Sequence, residues 1–199
     1  MANTNAPFGF SQYKGTGSAP TYEQVTGLIN YNTANIFFGD PIAHLSDGSV
    51  AGITTSALPG TVPLAGIFVG CKYLSVSQKR TVWSNYWPGS DMASGNFAEA
   101  YIVNDPNAQF IVQSSGGSGI TQAMVGQNIQ FAYGTGNTSS GLSGAYVDAA
   151  TADRTVTTLP FKIVSLVTPV GSSSPTTGQY NTVVVAFNNV ETKVTTAAP

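Results

Sequence analysis

Charge is what this sequence has least of. Lys, Arg, Asp and Glu make up 8% of its 199 residues, seven cations against nine anions, where a globular protein ordinarily carries about a quarter. Nucleic-acid binding needs clustered Lys and Arg to displace counterions from phosphates. Here Lys79-Arg80 is the only adjacent pair of cations, and the formal net charge is −2, so a nucleic-acid partner is not expected. Solubility rests instead on Ser, Thr, Asn, Gln and Gly.

Cysteine and histidine occur once each, as Cys71 and His44. That excludes an intrachain disulfide framework and a zinc site of the common Cys/His type within one chain. Cys71 lies in LAGIFVGCKY, between an apolar run and an aromatic residue, and reads as a buried, inert thiol. His44 alternates with apolar residues and reads as a satisfied or solvent-facing side chain. No cofactor and no metal are expected.

Long apolar runs are also missing. Gly and Pro break every hydrophobic stretch well short of the ~20 residues that cross a bilayer as a helix, so no membrane partner is expected. The start, MANTNAPFGF, has neither the basic nor the apolar region of a signal peptide, and cytoplasmic synthesis without signal-directed export is the expectation. Asn137-Thr138-Ser139 fits the glycosylation pattern only formally. Good helix formers are scarce, whereas 22 Gly, 11 Pro and many Thr and Val favour turns and strands.

What is present is a series of short apolar or alternating runs with turn residues between them. The nine are Asn35–Phe38, Ile67–Val69, Thr81–Trp83, Ala100–Val103, Gln109–Val112, Ile129–Phe131, Ala145–Val147, Phe161–Val167 and Thr182–Phe187. This pattern predicts an all-β protein, a single barrel or sandwich with a jelly-roll-like or related Greek-key core. Asp47-Gly48 predicts a two-residue hairpin turn. Asn104-Asp105-Pro106-Asn107 predicts a turn with proline fixing φ at its second position, and Ser114–Gly119 an exposed loop. A weak helix start is readable at Thr21–Val25.

The first 30 residues mix Gly, Pro and Ser with aromatics and are read as an extended N-terminal arm, residues 1–30, that folds onto a partner. The β-rich domain then covers 31–188. Residues 189–199, rich in Thr and Ala, are read as a flexible C-terminal tail.

Three candidate chemistries arise. Gly136 to Ser143 approaches the phosphate-cradling pattern G-x-x-x-x-G-K-[ST], but Leu142 stands where lysine is required and no strand leads into a helix. Glycine-rich turns between strands account for the stretch better. The carboxylates Asp40, Asp47 and Asp105 sit in turn contexts; Asp148 and Asp153 flank a loop before Arg154, where a local turn or ion pair is expected and a hydrolase pair is the alternative. The densest aromatic stretch offers Trp83, Tyr86 and Trp87 as a surface patch for sugar or protein. The competing reading packs Trp83 in the core and lays Trp87 over a turn.

Taken in order, MANTNAPFGF, NIFFGDPIAHLSDGSV, LAGIFVGCKY with VWSNYWPG, AYIVNDPNAQFIVQ, MVGQNIQF, GTGNTSSGLSGAYVD, FKIVSLVTPV and TVVVAFN resemble a family of tailed-phage structural proteins that decorate, or cement, the outer surface of the icosahedral head. The resemblance runs from residue 1 to about residue 188. It implies a non-enzymatic virion protein on the outer capsid surface that binds across major capsid protein subunits and self-associates, with a trimer favoured over a dimer. Pro7, Phe8, Phe10 and Tyr13 are then the candidate contacts to the capsid or a neighbouring copy. The alternative is a carbohydrate-binding, host-adhesion module displayed on the virion.

Overall fold

The computed structural model describes residues 3–15, 24–53, 63–168 and 177–193. It is an antiparallel β-sandwich, with no α-helix among the described residues. In chain order the strands are β1 (Ser11–Lys14), β2 (Val25–Asn30), β3 (Pro41–His44), β4 (Val50–Gly52), β5 (Gly66–Ser75), β6 (Arg80–Ser84) and β7 (Phe97–Val103). The second half supplies β8 (Gln109–Gln113), β9 (Asn128–Ile129), β10 (Phe131–Asn137), β11 (Leu142–Val147), β12 (Phe161–Leu166) and β13 (Thr182–Phe187). Two single 3-10 turns, Gln122–Met124 and Ala149–Thr151, complete the elements.

One sheet has the order β1-β8-β13-β12-β9. Its inner face packs with the β10–β11 hairpin around a phenylalanine cluster. Phe10 stacks on Phe161 at 4.4 Å between ring centroids, and Phe110 meets Phe187 edge-on at 4.9 Å. The other sheet has the order β2-β7-β5-β3-β4, with β6 pairing the far end of β5. It curls until its two ends approach: the Asn30 Nδ2 amide donates to Ser49 Oγ at 3.0 Å beside the β3–β4 turn. The curl encloses a second core of Ile29, Ile42, Val50, Phe68, Ala98 and Ile102, filled by Trp87. Ala98 and Ala100 are buried in the same core.

Several expectations change. The Thr21–Val25 helix start falls partly on residues outside those described, and Val25 itself opens β2, where Thr and Ile favour extended backbone. Asn35–Phe38 is not a strand; it makes isolated bridges, Ile36 to Trp87 and Phe38 to Leu142. The Asp47-Gly48 hairpin exists but with a longer turn. Leu45 N–H donates to Ser49 C=O at 2.7 Å, and Gly48 takes φ +79°, the left-handed position that closes a three-residue loop.

The ends also differ from the reading of a free arm and tail. β1 pairs with β8, and β2 pairs with β7 along its whole length. Ala6 N–H donates to Gln113 Oε1 at 2.9 Å, and Gln113 Nε2 returns a bond to Thr4 C=O at 2.9 Å. The described part of residues 1–30 is therefore built into the sandwich, because Phe10 needs a core and its backbone supplies a strand. At the other end Val190 is fully buried and bridges Leu64, so the packed chain extends through Lys193; residues 194–199 lie outside the described part. The Ser114–Gly119 loop is exposed only at its tip. Ser114 is buried and donates to Asn181 Oδ1 at 2.7 Å. The turn read at Asn104–Asn107 forms one residue later, over Asp105–Ala108 with Pro106 second, closed by Ala108 N–H to Asp105 C=O at 2.9 Å.

Candidate functional site

The aromatic patch read from the sequence divides. β6 alternates, so Val82 faces the core opposite Tyr73 while Trp83 faces out opposite Lys72. Trp87 lies beyond the strand, fully buried, its Nε1–H donating to Thr33 C=O at 3.1 Å and its ring edge-on to Tyr73 at 5.2 Å. The competing assignment is also reversed: Trp87 is the core residue and Trp83 is exposed. Tyr86 is half-buried and stacks on Phe37 at 5.7 Å, so these three rings present no common platform.

The N-terminal candidates separate in the same way. Phe10 belongs to the phenylalanine core and is not available to an outside partner in this fold. Pro7 and Phe8 are half-buried, whereas Tyr13 is exposed, with Lys14 Nζ 4.9 Å from its ring centroid.

The β10–β11 hairpin carries the glycine-rich stretch. Gly134 pairs with Gly144, and the turn closes at residues 138–141. The reason for Gly136 is a close approach: a Cβ there would lie 2.3 Å from Phe37 Cδ2. The glycines thus let the Phe37–Tyr86 stack lie on the hairpin.

Beside that stack opens a cleft of about 140 Å³ lined by Asn35, Phe37, Asp40, Tyr133 and hairpin glycines, under half the ~300 Å³ at which small-molecule pockets begin. Asp40 forms its wall. Its Oδ2 accepts the Phe37 N–H at 2.7 Å and its Oδ1 accepts the Ser143 hydroxyl. Burial pushes this carboxyl up to about 6, against the Ser143 and Phe37 hydrogen bonds that lower it. The Tyr133 hydroxyl donates to Pro41 C=O, and burial, then the Asp40 charge, hold its phenol well above the ordinary value. Asp40 titrates where proton transfer is feasible, but its Oδ2 is held within the Phe37–Asp40 turn and its Oδ1 ties that turn to β11.

The remaining candidates make local bonds. His44 Nδ1 meets the Glu191 carboxylate at 2.8 Å, linking β3 to the chain's last described turn. Asp148 Oδ1 accepts Ala150 N–H at 3.1 Å, and Asp153 Oδ1 accepts the Thr155 hydroxyl at 2.7 Å. Arg154 donates to Ala123 C=O at 2.8 Å and forms no ion pair with either. Cys71 is buried, and burial pushes its thiol up to about 12. Among the described residues no three His, Cys, Asp or Glu side chains gather as a metal set.

What the sequence reading missed is the outer face of the six-stranded sheet. Leu28 on β2, Phe97 on β7, Leu74 on β5 and Trp83 on β6 are all exposed there, around an ion pair between Lys72 Nζ and Glu99 Oε2 at 2.9 Å. The signal was legible in FAEAYIV, where Phe97, Glu99 and Tyr101 alternate with Ala98, Ala100 and Ile102. Phe97 and Tyr101 face outward while two alanines face inward beside Ile102, so bulk is placed outside as well as in the core.

Comparison with protein-family models, with characterised proteins and with solved structures finds no match.

Proposed function

We propose that this chain is a virion structural protein that binds the outer surface of a phage head and cements neighbouring major capsid protein subunits. The observation that carries the reading is a surface at once apolar and sparsely charged. Eleven large hydrophobic side chains are exposed among the described residues, against 8% charged residues in the chain. Single exposed apolar residues are ordinary, but a cluster marks an interaction surface. Four of them, Leu28, Leu74, Trp83 and Phe97, cluster on the outer face of the six-stranded sheet, and Tyr13 lies apart from these on edge strand β1 of the other sheet. A protein that bridges subunits needs more than one contact region. The ordered series of segments resembling head-decorating proteins supports the same reading.

Binding only the assembled shell stabilises it by mass action. The test is to mix the purified protein with undecorated heads and sediment them. Co-sedimentation that saturates, together with heads that resist heat or dilution better, is the expected result. No co-sedimentation at saturating protein would overturn the reading.

The glycan-binding alternative retains one observation in its favour, the exposed indole of Trp83. Glycan-array binding abolished by Trp83→Ala would favour it over the capsid reading.

A further inference from the structure

The outer face of the six-stranded sheet has a symmetry of its own. Registered cross-strand pairs place Leu28, Glu99, Lys72 and Trp83 in one row across β2, β7, β5 and β6. Read across, the row runs apolar, anionic, cationic, apolar. Two residues further along the strands, Asn30 pairs with Phe97 and Leu74 pairs with Thr81, giving polar, apolar, apolar, polar.

Both rows are palindromic in polarity, and the charged pair is antisymmetric. Turning a second copy over about an axis parallel to the strands, between β5 and β7, reverses each row. Lys72 then faces Glu99 of the other copy, Trp83 faces Leu28, and Phe97 faces Leu74. Every group meets a complement, and each ion pair becomes part of a four-charge set.

We propose that two copies of this chain associate face to face through this sheet, about that two-fold axis. Stacked sheets pack about 10 Å apart with interdigitated side chains, the geometry long outward residues on a pleated face supply. The exposed fractions are large: 67% for Trp83, 57% for Leu74, 56% for Phe97 and 51% for Leu28. Together they offer on the order of 400 Å² of apolar surface, the scale of the largest patches on monomers. With the surrounding Tyr101, Lys72, Glu99 and Thr81, the face reaches toward the ~800 Å² per partner of a standard interface.

A glycan fits this face less well, since Leu28 and Leu74 would leave sugar hydroxyls without hydrogen-bond partners. A self-complementary face closes with two copies, which is the less favoured of the two states read from the sequence. This inference does not rest on the capsid reading.

Sedimentation velocity of the full-length chain, without heads, at about 100 μM would reveal any dimer with a Kd below about 10 μM. The expected species has twice the 20.5 kDa chain mass. Lys72→Glu or Glu99→Lys each sets like charges against one another, and each variant alone should be monomeric. Mixed in equal amounts they should restore the dimer, because the carboxylate introduced at position 72 of one copy then faces the ammonium introduced at position 99 of the other. Should either single variant misfold by circular dichroism, the double exchange K72E/E99K restores the intrachain pair and should dimerise. A monomeric or trimeric wild type, or single variants that dimerise like wild type, would overturn the proposal. So would a folded mixture that stays monomeric or a folded double exchange that does.

Discussion

Asp40→Asn should change how stability depends on pH more than it changes stability at any one pH. In the fold the Asp40 carboxyl is raised from 3.8 to about 6, chiefly by burial. Unfolded, it titrates at its ordinary value. Between these values the native state holds a proton that the unfolded chain has released, so stability falls as pH rises. The contribution is fully present below about pH 3.8 and is lost as pH passes through about 6. A shift of about 2 units at 1.36 kcal/mol per unit sets the loss at about 3 kcal/mol.

Asparagine carries no charge at any of these pH values. Its Oδ1 can keep one of the two donors, the Phe37 N–H or the Ser143 hydroxyl, at a cost of about 1–3 kcal/mol for the bond lost. That cost does not vary with pH. The assay is urea unfolding of both proteins, followed by tryptophan fluorescence, at steps between about pH 3.5 and pH 7. Wild-type stability minus variant stability should fall by about 2–3 kcal/mol over that range. The subtraction removes every other titrating group. A difference flat to within about 0.5 kcal/mol, the noise of such comparisons, would refute the claim that a buried, ionising Asp40 strains the neutral-pH fold.

Three further outcomes follow from the packing. Trp87→Ala should cost about 3–5 kcal/mol as a core truncation, whereas Trp83→Ala, at high dilution, should stay within about 0.5 kcal/mol; urea midpoints and acrylamide quenching of the surviving indole distinguish the two. Phe10→Ala should cost about 3–5 kcal/mol by the same measurement, while an external anchor would leave stability unchanged. Gly136→Ala should cost about 1–3 kcal/mol by overpacking Phe37, and most of that cost should vanish in a Phe37→Ala background, which a double-mutant cycle reads directly.

Many strands were legible where turn residues bounded an apolar run, because both signals are local, but the same signal misread Asn35–Phe38 and left Pro41–His44 outside the predicted runs. Phe161–Val167 and Thr182–Phe187 became β12 and β13 within a residue at their ends. Polar or glycine-bearing strands gave no such signal. Ser11–Lys14 is extended because β8 offers a partner, and that partner lies about a hundred residues away in the chain. Phe10 read as a surface anchor because its neighbours are Gly, Ser and Pro. Only the distant Phe110, Phe131 and Phe161 make it a core residue. The two tryptophans mark the same boundary. Period-two alternation separated Val82 from Trp83, but which face was the core depended on where Trp87 filled the curled sheet.

The two proposals constrain each other. A sheet face closed by a second copy is not free for the head, so the capsid contact falls to other surfaces, among them the Tyr13 strand. Each dimer then carries two such contacts. Two weak contacts joined by a rigid body act at high effective concentration, and the avidity gained reaches about 10²–10⁴-fold. The monomeric variants Lys72→Glu and Glu99→Lys should therefore still bind heads, but about a hundredfold or more weakly, and their equimolar mixture should recover wild-type affinity. Titrating heads with each protein at limiting concentration measures this. Equal head affinity for wild type and single variants would separate dimerisation from decoration, and cementing would then depend on contacts made within a single copy.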